Sequence, residues 1–221
     1  MSYALAHAGW CQNAKMSNAP LISIVVMAAG QSRRMGGVDK LLLPVRGQSL
    51  LANRVEMAAK TGRDVFVVLP PEDAAPERWS ALNSAHATLI PCPGAVRGMG
   101  ASLSCAFGHV KNHYDAALVL LADMPALTRD DLNLMLGGYR HGEIHRAAGA
   151  DHTMGHPVII PKRLFPLMAN LTGDQGARRV LTAEKTHFVT LPGDNATKDI
   201  DTAEQWISFQ EASKNTNNSD T

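Results

Sequence analysis

Lys40 closes a loop of small and basic residues, Ala28-Ala29-Gly30-Gln31-Ser32-Arg33-Arg34-Met35-Gly36-Gly37-Val38-Asp39-Lys40, which directly follows an apolar run over residues 21–28. Small residues at Ala28, Ala29 and Gly30 let a ligand come close to the backbone, and the glycines permit turns that aim amide N–H groups at an anion. Arg34 and Lys40 add full positive charge, so the loop reads as a phosphate site. It lacks the Gly-Lys-Ser/Thr ending of a P-loop and the GxGxxG of a dinucleotide fold. A solvated basic turn is the plainer reading of the same composition.

Asp123 stands just after a second apolar run, residues 116–121, and is followed by Met124-Pro125. Mg²⁺ is held by one or two carboxylates together with substrate phosphates, and an acid at a strand's end suits that task. The competing role is a cap on the following turn. Asp201, in Asp199-Ile200-Asp201-Thr202, precedes a helix start and has the same two readings. Gly98-Met99-Gly100-Ala101-Ser102 can bring backbone close to a flat base at Gly98 and Gly100, with Ser102 capping the helix or bonding the base edge. His156 lies in Gly155-His156-Pro157. Asp174 and Arg178 lie in Gly173-Asp174-Gln175-Gly176-Ala177-Arg178, Asp174 as a possible N-cap and Arg178 as a phosphate contact. His109 and His113 have zinc-like spacing but no third ligand. His141 and His145 share that spacing in a Gly-interrupted loop.

The elements that must carry these residues alternate. Apolar runs predict strands over residues 21–28, 64–69, 87–90, 116–121, 158–160 and 187–191. Helices are predicted over 49–60, 76–85, 101–112, 164–171 and 174–183, with one more starting at Thr128 and a last one over 202–212. Thr128 with Asp131 and Thr202 with Gln205 form capping boxes. This alternation implies a three-layer α/β/α sandwich, with ligands at the carboxyl ends of the strands. Residues 20–212 are expected to form the single domain, preceded by a loosely ordered extension (1–19) and followed by a polar, disordered tail (213–221).

The 221 residues suffice for one α/β domain with a full core. Lys plus Arg number 21 and Asp plus Glu 20, a net charge of +1 that offers no surface for nucleic acid or membrane. Apolar runs are too short to span a bilayer. Cys11, Cys92 and Cys105 form no CxxC pair, which argues for reduced thiols in the cytoplasm.

The first loop, together with Gly98 to Leu103, Gly155-His156-Pro157, Gly173 to Arg178 and Asp199 to Thr202, resembles the molybdenum-cofactor nucleotidyltransferases of the nucleotide-diphospho-sugar transferase superfamily. The resemblance runs over residues 22–206. It implies a Rossmann-like, mostly parallel mixed sheet. It also implies an enzyme that moves CMP from CTP to molybdopterin cofactor and releases pyrophosphate. In that family the first loop wraps the triphosphate and its lysine contacts the phosphates. Those roles fall on Arg34 and Lys40, with Ala28, Ala29, Gly30, Gln31, Ser32, Gly98, Gly100 and Ser102 around the nucleotide. The metal, Mg²⁺, falls to Asp123 with Asp201 as second ligand, and the acceptor to His156, Asp174 and Arg178. A molybdenum hydroxylase is the implied recipient of the product.

Gly36-Gly37-Val38-Asp39-Lys40 resembles the guanylyltransferase branch instead, so GTP stays open as donor while the remaining segments favour CTP. Two other readings remain: a cytidylyl- or sugar-phosphate transferase with another acceptor, and a carrier of the finished cofactor. Asp123 and Lys40 would be superfluous in a carrier. A phosphate is already a nucleophile at neutral pH, so the lack of a Ser/His/Asp or Cys/His set is consistent with transfer chemistry.

Overall fold

Six successive buried residues, Ile22–Met27, form β1, a strand covered on both faces as parallel sheets require. The computed structural model describes residues 19–30, 37–110, 112–173 and 177–217. After β1 come β2 (Pro44–Val45), β3 (Gln48–Ser49), α1 (Leu50–Ala59), β4 (Val65–Leu69), α2 (Pro76–Ser80), β5 (Thr88–Pro91), α3 (Met99–His109) and β6 (Ala116–Leu121). They are followed by α4 (Arg129–Gly137), β7 (Ile144–Ala148), β8 (Met154–Pro161), α5 (Phe165–Ala169), α6 (Arg178–Thr182), β9 (Thr186–Thr190) and α7 (Ala203–Asn217).

Seven strands make one sheet in the order β5-β4-β1-β6-β8-β7-β9, and β2 pairs with β3 in a separate hairpin. β1 is parallel to both β4 and β6, with Val25 opposite Phe66 on one side and Val119 on the other. β8 runs antiparallel to β6 and β7, and β9 is parallel to β7. The chain therefore builds outward from β1 to β5, then returns to the other side of β1 at β6. That reversal leaves a crevice at the carboxyl ends of β1 and β6.

Two cores flank the sheet. One packs Ile24, Val55, Leu132 and Trp206, bringing in α1, α4 and α7. The other packs Val25, Leu103, Phe107, Phe165 and Met168, bringing in α3 and α5, with Leu181 of α6 partly buried against it. The expected three-layer α/β/α sandwich with a mostly parallel sheet is the fold of this chain.

Both expected capping boxes are present. Thr128 and Asp131 satisfy each other's backbone amides at the start of α4. Gln205 accepts from the Thr202 amide at 3.0 Å, and the Gln205 amide donates to the Thr202 hydroxyl at 3.3 Å.

Several boundaries differ from the expectation. α2 stops at Ser80, because residues 81–84 form turns instead of continuing it. α3 starts at Met99 with Gly98 as its N-cap, at φ 108. Ser102 is therefore inside the helix and not its cap. β8 is longer than expected, and β7 replaces the loop expected around His141 and His145. The alternation there is hidden because His145, fully buried, occupies a core position that sequence patterning assigns to apolar side chains. His145 Nε2 accepts from the Arg140 amide at 3.0 Å, and burial together with nearby His187 lowers its pKa to about 4. It is a neutral structural histidine. Residues 1–18 of the expected extension, and Gln31, Ser32, Arg34 and Asp174, lie outside the described residues.

Candidate active site

Lys40 begins a short 3-10 turn, Lys40–Leu42, capped by Asp39, whose Oδ1 accepts from the Leu41 amide at 3.1 Å. The cap is itself anchored. Arg78, 4% exposed, grips the Asp39 carboxylate with Nε at 2.6 Å and Nη2 at 2.9 Å, and its Nη1 donates to the Ala28 carbonyl at 2.7 Å. One guanidinium thus ties the end of β1 to the residue before Lys40. This fork is the bidentate geometry that arginine offers and lysine does not.

So held, Lys40 points into the crevice between β1 and β6. Its Nζ donates to Asp123 Oδ2 at 2.7 Å, Asp201 Oδ1 at 2.8 Å and the Ile200 carbonyl at 2.7 Å. Burial favours loss of its proton, but Asp123 and Asp201 outweigh that, and its pKa is raised. The ammonium is locked in its charged form.

Asp123 follows β6, while Asp199 and Asp201 lie on the segment leading to α7. Oxygens from all three carboxylates lie within 4.8 Å of one another, the sole grouping of this kind among the described residues. Asp199 has its pKa raised by burial and by the charges of Asp201 and Asp123. Asp123 Oδ1 is buried without a hydrogen-bond partner among the described residues. An acid with an orphaned carboxylate oxygen, grouped with two further acids, is a donor set for a hard divalent cation, and the residues present fit one.

Arg54, 6% exposed, braces this loop from behind: its Nη1 donates to the carbonyls of Met124 at 3.2 Å and Leu127 at 2.6 Å.

A cleft of about 520 Å³ opens on the β1, β4 and β5 side of the triad. Ala29 and Gly30 line it, as do Pro70, Cys92, Pro93 and Val96, with Asp39, Glu77 and Arg78 supplying charge. Ala28 is buried, with its amide on the Val68 carbonyl at 3.0 Å and its own carbonyl on Arg78. Gly98, Gly100 and Ser102 do not line this cleft. The Gly100 amide donates to the Gly173 carbonyl at 3.0 Å, and a Cβ on Gly100 would lie 2.5 Å from that oxygen. Glycine is needed there for close packing of α3 against the 172–173 loop.

His156 is at the start of β8, next to the end of β6. Its ring lies against the Val119 backbone, and its pKa falls to about 4 through burial and Arg146, with Asp123 opposing. Arg178 is exposed on α6. The structure therefore brings Lys40, Asp123 and Asp201 together and sets His156 nearby, while Arg178 stands exposed at the start of α6. Sequence reasoning chose Asp201 over Asp199 as the second candidate ligand and missed Arg78 and Arg54. For Asp199 a signal existed: residues two apart point to the same side of an extended chain. A buried arginine inside an ordinary helical pattern leaves no such trace.

The MobA-like NTP transferase domain matches residues 24–208 of this chain. The chain belongs to that family. Among relatives of the MobA-like domain, a nicotine blue oxidoreductase from Paenarthrobacter nicotinovorans is 33% identical, over 84% of this chain and 95% of that one. A molybdenum cofactor guanylyltransferase from Shewanella frigidimarina is 25% identical, over 85% and 94%. Among solved structures, Rv0371c from Mycobacterium tuberculosis is 26% identical with TM-score 0.72, over 87% of this chain and 99% of that one. A manganese complex of that mycobacterial protein is also known. This MobA-like chain is a nucleotidyltransferase, and among its described residues no helix is long and apolar enough to cross a membrane.

Proposed function

We propose that this MobA-like transferase moves a nucleoside monophosphate from a Mg²⁺-bound nucleoside triphosphate to the terminal phosphate of molybdopterin, with CTP as donor. What supports the reading is the meeting of the Lys40 ammonium with Asp123, Asp199 and Asp201 where the strand order reverses. An acceptor phosphate oxygen bonds to the α-phosphorus, the α–β anhydride bond breaks, and its electron pair leaves on pyrophosphate. Asp123, Asp199 and Asp201 would hold Mg²⁺, which would supply neutralisation of phosphate charge. Lys40, whose ammonium is already fixed at this point, would follow the charge moving onto pyrophosphate. The 29–40 loop and the adjoining cleft hold the donor, with Arg34 on its triphosphate and Gln31 and Ser32 beside it. His156, Asp174 and Arg178 belong to the acceptor side, and a molybdenum hydroxylase receives the product.

A second donor, GTP, is favoured by the Gly-Gly-x-Asp-Lys ending at Lys40 and by relatives named as guanylyltransferases. Thermal shifts with CTP, GTP, ATP and UTP plus Mg²⁺ separate the two. A ligand at a hundred times its Kd stabilises by about 2.7 kcal/mol. The largest shift with CTP supports the cytidylyl assignment, and a larger one with GTP replaces it. Pyrophosphate release on adding molybdopterin distinguishes a transferase from a carrier, which would bind the pterin and release none.

A further inference from the structure

Arg146 is the charged residue in the middle of β7. Ile144, two residues before it, and Val158, its partner across the β7–β8 ladder, both belong to the apolar core under α3 and α5. A guanidinium on such a face loses hydration, and burial lowers its pKa, with no carboxylate among the described residues opposing that loss. Its Nε donates to the Gly155 carbonyl at 3.0 Å. Among the described residues the two terminal nitrogens have no acceptor. That bond fixes the guanidinium beside the start of β8.

The start of β8 is itself immobilised. The His156 amide donates to the Ala196 carbonyl at 2.8 Å, and a Cβ on Gly155 would lie 1.8 Å from that oxygen, so only glycine fits. Through this contact β8 is joined to the segment that carries Asp199 and Asp201. With Arg146 on the Gly155 carbonyl and the His156 amide on the Ala196 carbonyl, the cation stands beside the segment that leads to Asp199 and Asp201.

The two flanks of the triad differ. The cleft beside β1, β4 and β5 lies on one, and Arg146, on β7 beyond β8, lies on the other. In-line displacement requires the nucleophile to approach opposite the leaving group. With the donor's base in the cleft and its α-phosphorus over the triad, the incoming oxyanion belongs on the β8–β7 flank. Phe188, paired with Arg146 across the β7–β9 ladder and 48% exposed, offers a flat apolar surface there.

We infer that Arg146 binds the phosphate monoester of the acceptor, an inference that rests on the transferase reading above. The fork of terminal nitrogens, without an acceptor among the described residues, matches two phosphate oxygens, and the planar acceptor ring is placed toward Phe188.

The test uses the full chain with Mg²⁺ and a non-hydrolysable donor analogue, and reads binding of methyl phosphate by calorimetry. Saturable binding by the native protein, lost at least tenfold in Arg146→Gln while the donor's Kd stays within twofold, is expected. Equal binding by native and variant proteins, or no saturable binding by the native one, overturns the inference. If Arg146→Gln does not fold, Arg146→Lys retains the charge without the fork and is expected to bind methyl phosphate several-fold more weakly; native affinity in that variant overturns the bidentate assignment. In steady state, Arg146→Gln raises the KM for molybdopterin about 10- to 100-fold, the range for one charge-assisted pair. Methyl phosphate binding that depends on Arg146, alongside no turnover of molybdopterin by the native protein with any donor, would overturn the choice of acceptor and leave the Arg146 assignment standing.

Discussion

The amide of Ile200 donates to the carbonyl oxygen of Asp123 at 2.9 Å, and the carbonyl of Ile200 accepts from Lys40 Nζ at 2.7 Å. A single apolar residue, 1% exposed, thus registers three segments that are far apart in sequence. The loop after β6, the segment before α7 and the Lys40 turn cannot shift independently. Catalysis of phosphoryl transfer depends mostly on positioning and fixed charge, and this stitching supplies the first.

Asp123→Asn should abolish turnover and leave the fold intact. The amide is isosteric, but it removes the negative charge of a carboxylate whose Oδ1 has no partner among the described residues. Mn²⁺ titration of the variant, followed by calorimetry, should show weakened binding, and its melting curve should stay cooperative. Native-level pyrophosphate release from a folded Asp123→Asn protein would mean that the cation is held elsewhere.

Asp199→Asn should act in opposite directions on stability and function. Burial, Asp201 and Asp123 all favour its neutral form, so the ionised group opposes folding when no cation is bound. Removing the charge should raise the Tm of the protein in EDTA. The same change should reduce the rise in Tm produced by Mg²⁺. A variant less stable in EDTA than the native protein would contradict the repulsion argument.

Arg78→Lys should lower both stability and activity. Lysine cannot reach Asp39 twice and the Ala28 carbonyl at once. The loss should be about 2 kcal/mol, below the 3–5 typical of fully buried pairs because the Asp39 side chain is 28% exposed. Denaturant midpoints measure the stability, and the ratio of kcat to KM for the donor measures the site. A stable variant with native kinetics would show that Asp39 holds Lys40 without help.

Much of this was legible in the sequence where local chemistry and tertiary packing agree. β1 and β6 announce themselves because strands buried on both faces are continuous apolar runs. Thr128 and Thr202 announce helix starts because capping is a local hydrogen-bond pattern. Asp123 could be singled out as an acid directly after a buried strand, and Lys40 and Asp201 through the segments that carry the family resemblance. β7 was hidden, since His145 takes a core position and Arg146 an apolar face. Gly100 was read as room for a ligand, and in the fold it also makes room for the Gly173 backbone. The same residue type serves both ends, and only the partner across space tells them apart.

Lys40→Ala should lower kcat roughly 10²- to 10³-fold, the cost of one preorganised transition-state contact, with a smaller effect on donor affinity. The structure adds a second consequence. Without a cation, Lys40 is the counter-ion of Asp123 and Asp201, at 2.7 and 2.8 Å, with its side chain only 11% exposed. Its removal leaves three neighbouring carboxylates facing one another. The variant should therefore melt lower than the native protein in EDTA, and saturating Mg²⁺ should restore more of its stability than it adds to the native protein. The two readouts separate two roles. A lysine that only balanced the acids would, once Mg²⁺ was bound, be dispensable for turnover. A lysine that follows charge onto pyrophosphate is required even when the cation is present, and its loss appears in kcat instead of KM. Steady-state kinetics at saturating Mg²⁺ decide between them, and a Lys40→Ala enzyme altered only in KM would reassign the residue to substrate binding.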